Sequence, residues 1–532
     1  MIADVPWTEE SGPAFGADWL LEAIAPAGAF GRRARARERA FRPGDEEGAR
    51  RALARVVTAA RAAEPARLEA LRAALADAPD PGPALARAGG GGVLGDADFF
   101  ELARFLDAHA AIAALAHGVV DEAVLREPAP ELRATLAPGI TALRTFYLDD
   151  GFDAALAAAR AESARAQAAY DAARSRLAER AAAFAGVERV HDGEFVVMRE
   201  RFSAPVPAEI RIVREAATYA LCELALDDAA LAALGARDAA VVAVAEAEEA
   251  VRARLSVAVA AAAVALERAC DVLGDIDLLV ARASFAQRYG CVEPEIVEAE
   301  IAFVDARYLP LALALERRGR RYAPISLELG GIGVVTGPNM GGKSASLRTI
   351  GFVAACVALG VPVPAASARV PLFDEIAWLG LAAAPADDGL LSAFGSEVVE
   401  ARAFLQRGWS RALVLVDEFA RTTAPREGRA LLIALLETLR ERGTLALAAT
   451  HLTGVADAAR AEHYAMGGLK RLPATAGAPL ALDAALSRIA QAMDYRLVRV
   501  AEDAVPAADA IALAEALGLD AATIARARNA LA

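Results

Sequence analysis

Lysine is almost missing from this chain of 532 residues. Only two of its 57 Lys and Arg residues are lysines, Lys343 and Lys470. The excess of arginine and alanine is typical of a GC-rich genome, so Ala-rich runs are not evidence of a special function. The retained lysine at position 343 therefore needs a local chemical reason.

Cysteine is scarce as well, and no pair has the CxxC spacing of a zinc site or suggests a disulfide framework. We expect the four cysteines to be reduced core thiols in a cytoplasmic protein: Cys222, Cys270, Cys291 and Cys356. The longest apolar run, LSVAVAAAAVAL before Glu267, is shorter than the ~20 residues that span a bilayer. The N-terminal MIADVPWTEE lacks the apolar region of a signal peptide, so we expect no membrane association.

The chain has no excess of positive charge, since its net charge is −14 and its pI is near 5.1. A nucleic-acid partner would need a local basic patch, because phosphate neutralisation supplies most non-specific affinity. The densest candidate is GRRARARERAFR, Gly31 to Arg42, which a solvated helix face in an Arg-biased chain also explains. The hydrophobic content of 56% is ample for a buried core, and the length indicates more than one domain.

The first half of the chain is predicted to be mostly helical, in two regions. Residues 1–95 form an N-terminal helical region that ends in the breaker PDPGPALARAGGGGVLGD. Residues 96–305 form a helical core or lever region, with a long Ala-rich helix from Phe152 to Phe184. Short strands are predicted near 186–213, after which helices resume at Arg214.

The chain changes character in its last part, residues 306–532. The short β-like runs ISLEL, IGVVTG, ALVLVDE and TLALAAT alternate there with helical stretches. This alternation is typical of a parallel sheet with crossover helices. The predicted fold class is therefore α plus α/β, with a helical, clamp-like half followed by a domain with a mainly parallel sheet.

The segment GPNMGGKS fits the phosphate-loop pattern G-x-x-x-x-G-K-[ST] between an apolar run and a helical pattern. Its backbone N–H groups and the helix N-terminus favour phosphates. We expect Lys343 to reach the β- and γ-phosphates of ATP and Ser344 to ligate Mg²⁺. Arginine's wide fork is a poor substitute for a compact ammonium in this loop, which explains the retained lysine. The predicted ATP-binding residues are Gly337, Pro338, Asn339, Met340, Gly341, Gly342, Lys343, Ser344 and Ala345.

Two further apolar runs end in residues that suit Mg²⁺ binding and ATP hydrolysis. ALVLVDEFA ends in Asp417, expected to hold Mg²⁺, and Glu418, placed to polarise the attacking water. TLALAATHLTG carries His451 at the end of a third run, where it would sense phosphate or orient water. We therefore predict Lys343, Glu418 and His451 as catalytic residues, and Ser344 and Asp417 as Mg²⁺ ligands.

On these residues the chain resembles the MutS family of DNA-mismatch-repair ATPases, within the ABC class. TGPNMGGKS with LRTIG is similar to the family's phosphate loop and following helix, and ATH at 449–451 also matches. DDGLLSAFGSEVVEARAFL resembles a segment with Asp-Asp, Ser-Thr-Phe and Glu, although Ala393 replaces the threonine. The matching residues there are Asp387, Asp388, Ser392, Phe394 and Glu397. Of the family's Gly-Arg-Gly-Thr after Glu418, only Arg421 and Thr423 match.

The resemblance implies an ATPase that works as a dimer. The segment around Ser392, with Phe394 and Glu397, would complete the partner's nucleotide site, and DAIALAEALGLDAATIARARNAL would form the dimerisation helices. Because the motif at Ala420 to Thr423 is weakened, a heterodimer with a related subunit is as conceivable as a homodimer.

The resemblance does not extend to the parts of the family that recognise a mismatched base. The family's Phe-x-Glu wedge lies in an N-terminal domain for which too little chain is present, and FFE at Phe99 to Glu101 reads as core on an apolar helix face. No endonuclease domain is expected beyond the dimerisation helices. A shorter subgroup fits better: MutS-like ATPases that help reactivate adenosylcobalamin-dependent lysine aminomutase. MDYRLVRV, Met493 to Val500, and the following AVPAADAIALAEALGLD resemble that subgroup's tail.

Two functions remain open at this point. In the first, ATP closes a dimer that remodels a protein client, an aminomutase, and hydrolysis resets it. In the second, the dimer is a clamp that recognises DNA structure, with phosphate contacts from Arg32 to Arg42, Arg317 to Arg321 or the lever tips. A degenerate structural paralogue is disfavoured, because all the predicted catalytic and Mg²⁺-binding residues are present.

Overall fold

The computed structural model describes Ile2 and residues 4–141, 145–190, 193–338, 342–380, 393–469, 489, 491–500 and 510–531. The chain divides into two compact units. The first comprises Met1–Asp77, Ala111–Arg126 and Asp271–Ala532, and the second comprises Ala78–Ala110 and Glu127–Cys270. Each unit consists of separate segments of the chain, because two long helices, Asp96–Ala116 and Asp228–Tyr289, contribute residues to both units. The domain boundaries predicted after residues 95 and 305 stay predictions.

The helices cover most of the first half of the chain, as predicted. In chain order they are α1 Ser11–Ala14, α2 Ala17–Ala23, α3 Ala29–Arg37, α4 Glu46–Ala62, α5 Pro65–Asp77, α6 Gly82–Gly89, α7 Asp96–Ala116, α8 Pro130–Leu136, α9 Ala154–Ala185, α10 Asp228–Tyr289, α11 Leu309–Glu316, α12 Lys343–Ala358, α13 Ala393–Gln406, α14 Pro425–Glu441, α15 Val455–Ala458, α16 Ala510–Ala516 and α17 Ala521–Leu531. Short 3₁₀ turns cover Glu122–Leu125, Ala137–Gly139, Asp150–Phe152 and Arg199–Ser203.

The strands form three sheets in the described residues. They are β1 Glu194–Met198, β2 Ile210–Glu215, β3 Tyr219–Leu224, β4 Glu295–Ile296, β5 Ile301–Ala306, β6 Ile325–Leu329, β7 Ile332–Thr336, β8 Ser367–Val370, β9 Glu375–Leu379, β10 Ala412–Asp417, β11 Leu445–Ala449, β12 Glu462–Leu469 and β13 Met493–Arg499. Their orders are β1-β3-β2, β4-β8-β5-β6 and β13-β12-β7-β11-β10-β9.

The six-stranded sheet confirms the α plus α/β class. Its strands β9, β10, β11, β7 and β12 pair in parallel, and only β13 is antiparallel. Alternate side chains of the central strands enter two cores: Leu413 and Leu415 face the core around α12, whereas Val414 and Val416 face the core around α14. Helix α12 is apolar on nearly all sides and buried, as a central helix must be. The predicted strand ISLEL, β6, lies instead in the four-stranded sheet, antiparallel to β5.

The first residues of the chain are part of the core around α12, which the sequence did not reveal. Phe15 and Leu20 are fully buried there. A Cβ on Gly351 of α12 would lie 2.6 Å from the Cβ of Phe15, so the helix and the N-terminal segment are in close contact. The N–H of Ile376, in the edge strand β9, donates to the carbonyl of Pro6 at 2.5 Å. The N-terminal segment thus covers that sheet edge.

The second unit contains α9 and the antiparallel sheet β1-β3-β2. Asp153 caps α9 by accepting from the N–H of Ala155 at 2.8 Å. Val197 and Cys222 are buried between the sheet and this helix. The helix predicted to resume at Arg214 was wrong. Residues 219–224 form β3, because they alternate between buried and more exposed positions, and α10 begins at Asp228.

Phe99 is fully buried within α7, in agreement with the prediction that FFE is core. None of the helices in the described ranges combines the length and apolar character needed to cross a bilayer.

Candidate functional site

The segment predicted to be a phosphate loop connects β7, which ends at Thr336, to α12, which begins at Lys343. Gly337 has φ 146° and Gly342 has φ 100°, so both ends of the loop use backbone conformations that other residues rarely adopt. Asn339, Met340 and Gly341 lie outside the described residues. Lys343 begins α12, and its Nζ donates to the carbonyls of Gly337 at 2.9 Å and Pro338 at 3.3 Å. The ammonium is therefore held inside the loop.

Lys343 is buried, with only 5% of its side chain exposed, and its Nζ lies 3.8 Å from Oε1 of Glu418. Burial lowers the pKa of Lys343, and the carboxylates of Glu418 and Asp417 oppose that change. The Lys343 ammonium therefore lies near two carboxylates at the N-terminus of α12. The helix N-terminus itself also favours a bound anion.

The end of β10 brings Asp417 next to the loop. Ser344 Oγ donates to Asp417 Oδ1 at 3.0 Å, although the two residues are 73 positions apart in the chain. Burial raises the pKa of Asp417, and the hydrogen bond from Ser344 opposes the shift. A hydroxyl and a carboxylate oxygen side by side are ligands that suit Mg²⁺, so this pair fits the predicted metal site.

Glu418 lies in a tight turn after β10. Its φ is 52° and that of Ala420 is 61°, both unusual for residues with side chains. The Glu418 N–H donates to the carbonyl of Ala449 at 2.9 Å, and Arg421 Nη1 donates to Glu418 Oε2 at 3.1 Å. These contacts fix the direction of the carboxylate. Thr423 closes the same turn, since its N–H donates to the Ala420 carbonyl at 3.3 Å.

Glu397 supports this turn from within the same chain. It is buried, and its Oε2 accepts from the N–H of Ala420 at 2.7 Å. Burial raises the pKa of Glu397, and the bond from Ala420 opposes the shift. Phe394 is partly buried against the core around α14. The contacts of both side chains are therefore internal, whereas Asp387, Asp388 and Ser392 lie outside the described residues.

His451 is exposed and follows β11 at the same edge of the sheet as Asp417 and Glu418. Asp417 pairs with Ala449 across the parallel strands, so His451 lies two residues beyond that pair. This is the sheet edge predicted for it from the sequence.

A cavity of about 790 Å³ lies over the phosphate loop, and Ser344, Ala345 and Glu418 contribute to its wall. This volume suits a nucleotide-sized ligand. The remaining wall includes apolar and aromatic side chains that the sequence did not single out as ligand contacts, from Leu311, Leu315, Tyr322, Met466 and Tyr495. The alternation in MDYRLVRV could have predicted the strand that carries Tyr495.

Most of the arginines that were candidates for DNA contact either line the cavity or bind other parts of the chain. Arg318, Arg320 and Arg321 line the cavity over the phosphate loop. In the segment from Gly31 to Arg42, Arg35 donates to the Leu21 carbonyl at 2.6 Å and Arg42 to the Asp374 carbonyl at 2.5 Å. Further along α3, Arg37 pairs with Asp271 at 2.8 Å. Much of this segment therefore binds the chain itself.

Comparison with known proteins gives one family. Residues 333–530 match the family model described as MutS domain V. Endonuclease MutS2 of Carboxydothermus hydrogenoformans is 34% identical over 196 residues, which is 36% of this chain and 24% of that protein. Endonuclease MutS2 of Clostridium botulinum strain ATCC 19397 is 32% identical over 184 residues, 34% of this chain and 23% of that protein. The protein of the same name from Agathobacter rectalis is 32% identical over 208 residues, 38% of this chain and 25% of that protein. The matches thus cover about a quarter of the length of these relatives.

Proposed function

We propose that the chain binds and hydrolyses ATP, because residues 333–530 match MutS domain V, which is the ATPase domain of the MutS family. One observation carries the proposal: Lys343, Ser344 and Glu418 line a single cavity over the predicted phosphate loop, and Asp417 accepts a hydrogen bond from Ser344. The matched segment contains all four residues.

Each residue has a distinct role in this proposal. Lys343 leaves the loop carbonyls to bind the β- and γ-phosphates, and Ser344 and Asp417 hold Mg²⁺. The bound Mg²⁺ supplies positive charge that neutralises the phosphate oxygens. Glu418, oriented by its turn, polarises the attacking water, and His451 senses the γ-phosphate or orients that water. Tyr495 and the apolar wall bind the rest of the nucleotide.

We further propose that ATP binding drives dimerisation, with the segment around Ser392 completing the partner's site. Glu397 is the exception, since its carboxylate is already used inside its own chain. A cytoplasmic location belongs to the same proposal, and it is supported by the four cysteines, all within the described residues, none of which forms a disulfide.

We propose that the partner is a protein client, and an exposed apolar face in the second unit supports this. The outer face of the sheet β1-β3-β2 exposes Val196, Met198 and Tyr219. Arg199 at this sheet pairs with Glu215 at 2.9 Å, so that charge is balanced within the unit. A phosphate backbone prefers unpaired cations, whereas an apolar face suits a protein surface. The finer identity, a reactivase for an adenosylcobalamin-dependent aminomutase, is supported by the resemblance at residues 493–500 and 504–520.

The deciding experiment measures the ATPase rate of the purified protein alone and with duplex, branched or mismatched DNA, at low and at physiological salt. We expect turnover that DNA does not change. Stimulation by DNA with salt-sensitive binding would instead establish the DNA clamp. A pull-down with the Glu418→Gln variant and ATP, from cells that contain the aminomutase, then tests the client.

A further inference from the structure

Strand β12 forms the wall behind the phosphate loop, and its His463 contacts the residue that leads into that loop. His463 Nε2 lies 2.8 Å from Oγ1 of Thr336. Thr336 is buried, ends β7 and directly precedes Gly337, whose carbonyl accepts from Lys343. The imidazole is thus connected to Lys343, the lysine that would bind phosphate, through Thr336 and the adjoining Gly337.

The direction of these hydrogen bonds follows from counting protons. The Thr336 hydroxyl has one proton, and its oxygen also lies 3.5 Å from the carbonyl of Tyr464, which can only accept. If that proton goes to Tyr464, the hydroxyl oxygen accepts from Nε2–H of His463. The other nitrogen of the ring, Nδ1, is buried without a hydrogen-bond partner among the described residues. An unprotonated Nδ1 costs less there than a buried N–H, so the neutral Nε2–H tautomer fits the site.

The charges around the ring agree with a neutral imidazole. Burial lowers the pKa of His463, and the carboxylate of Asp457, on α15, opposes that shift only in part. A lowered pKa favours the neutral ring, as the Nε2–H tautomer requires.

A second residue of β12 supports both ends of the loop. A Cβ on Gly337 would lie 2.8 Å from the Cβ of Met466, and one on Gly342 would lie 3.1 Å from its Cε. Met466 Sδ also accepts from Ser346 Oγ at 3.7 Å. The two ends of the loop are therefore held by β12 through two side chains: Met466 packs against Gly337 and Gly342, and His463 contacts Thr336.

We propose that His463 is a positioning residue for nucleotide binding, which holds Thr336 and therefore the adjoining Gly337 in place before ATP arrives. This inference rests on the proposed ATPase function. Preordering the loop lowers the cost of binding, so loss of the His463–Thr336 bond affects the affinity for ATP more than the chemical step. A histidine that only filled space in the core would lower stability without this selectivity.

The test compares His463→Leu, which removes the donor, with His463→Gln, which retains an N–H donor at similar reach. Kd for a fluorescent ATP analogue, KM, kcat and Tm are measured for each variant. We expect the leucine variant to bind about five- to tenfold more weakly, with KM raised by a similar factor and kcat within about twofold. The glutamine variant should recover most of the affinity. In a Thr336→Val background, His463→Leu should have little further effect, because the two residues share one interaction.

The outcomes separate this inference from the function on which it rests. An unchanged Kd and KM in His463→Leu overturns the inference, and so does an equal loss in the leucine and glutamine variants. A parental protein that binds no ATP analogue overturns the ATPase proposal instead. The tautomer can still be read in that case from the imidazole ¹⁵N shifts of His463, assigned with the glutamine variant, and a protonated Nδ1 would overturn the positioning argument by itself.

Discussion

The surroundings of Lys343 explain why an arginine-rich chain retains a lysine there. Its Nζ fits between two loop carbonyls, a space in which a planar guanidinium with five N–H groups would leave donors unpaired. We predict that Lys343→Ala and Lys343→Arg both weaken ATP binding about 10- to 100-fold, the range of a lost charge-assisted hydrogen bond. Titration with a fluorescent ATP analogue measures this. Arg369→Lys, in an exposed ion pair with Glu300, is the matched control and should bind normally. A Lys343→Ala variant with parental turnover would refute the phosphate-loop assignment.

Glu397 gives a second prediction, because its carboxylate fixes the turn that carries Glu418. In Glu397→Ala the buried N–H of Ala420 loses its acceptor, which costs about 1–3 kcal/mol and frees the turn. We expect kcat for ATP hydrolysis to fall about tenfold or more, with a lower Tm, whereas Glu397→Gln keeps an acceptor and should be near normal. Steady-state ATPase assays and thermal unfolding decide this. Equal activity of the two variants and the parent would show that Glu397 does not position the turn.

The contact between α13 and the end of β9 predicts a dependence of stability on pH. Glu400 Oε2 accepts from the Gly380 N–H at 3.3 Å. Burial raises the pKa of Glu400 from 4.5 to about 7, and the neighbouring Glu10 and Glu397 act in the same direction against the Gly380 bond and Arg407. The folded protein therefore holds this proton more tightly than the unfolded chain, so this group's contribution to stability falls as pH rises from about 4.5 through 7.

Glu400→Gln removes that proton equilibrium and keeps the acceptor for Gly380. We expect its Tm to exceed the parental Tm at pH 8, with the difference shrinking to zero near pH 4.5. Thermal unfolding across this range measures it, with Glu298→Gln, at an exposed position, as control. A constant difference at every pH would mean that Glu400 titrates normally.

The local sequence pattern was enough to predict two parts of the site. These are the strand, loop and helix from β7 to α12, and the strand that ends in Asp417. Continuous apolar runs encode buried strands, and the loop's glycines and lysine are adjacent in sequence. Other parts depend on contacts between distant residues. The N–H of Trp378 donates to Ser11 Oγ at 3.1 Å, although the two residues are 367 positions apart in the sequence. No local sequence pattern could have predicted that hydrogen bond. The role of Glu397 inside its own chain is hidden for the same reason, since it depends on where the turn after β10 lies.

The proposed assembly depends on what ATP does to two copies of the chain, and Glu418→Gln isolates that step. Glutamine keeps the size of the side chain but cannot polarise the attacking water as a carboxylate does. The variant should bind ATP with Mg²⁺, hydrolyse it at least about 100-fold more slowly than the parent, and accumulate as a dimer.

Light scattering with ATP and Mg²⁺ saturating should then give twice the 55.2 kDa of one chain, whereas the same variant without nucleotide should give a smaller mass average. Adding Lys343→Ala to Glu418→Gln is the control: at the lowest ATP concentration that saturates Glu418→Gln alone, the weakened site of the double variant should reduce the ATP-dependent increase in mass. A monomer under saturating ATP would rule out a homodimer whose nucleotide site is completed by the partner. The segment around Ser392 would then need a related subunit as its partner, and the search would turn to a protein that co-purifies with the Glu418→Gln variant in an ATP-dependent manner.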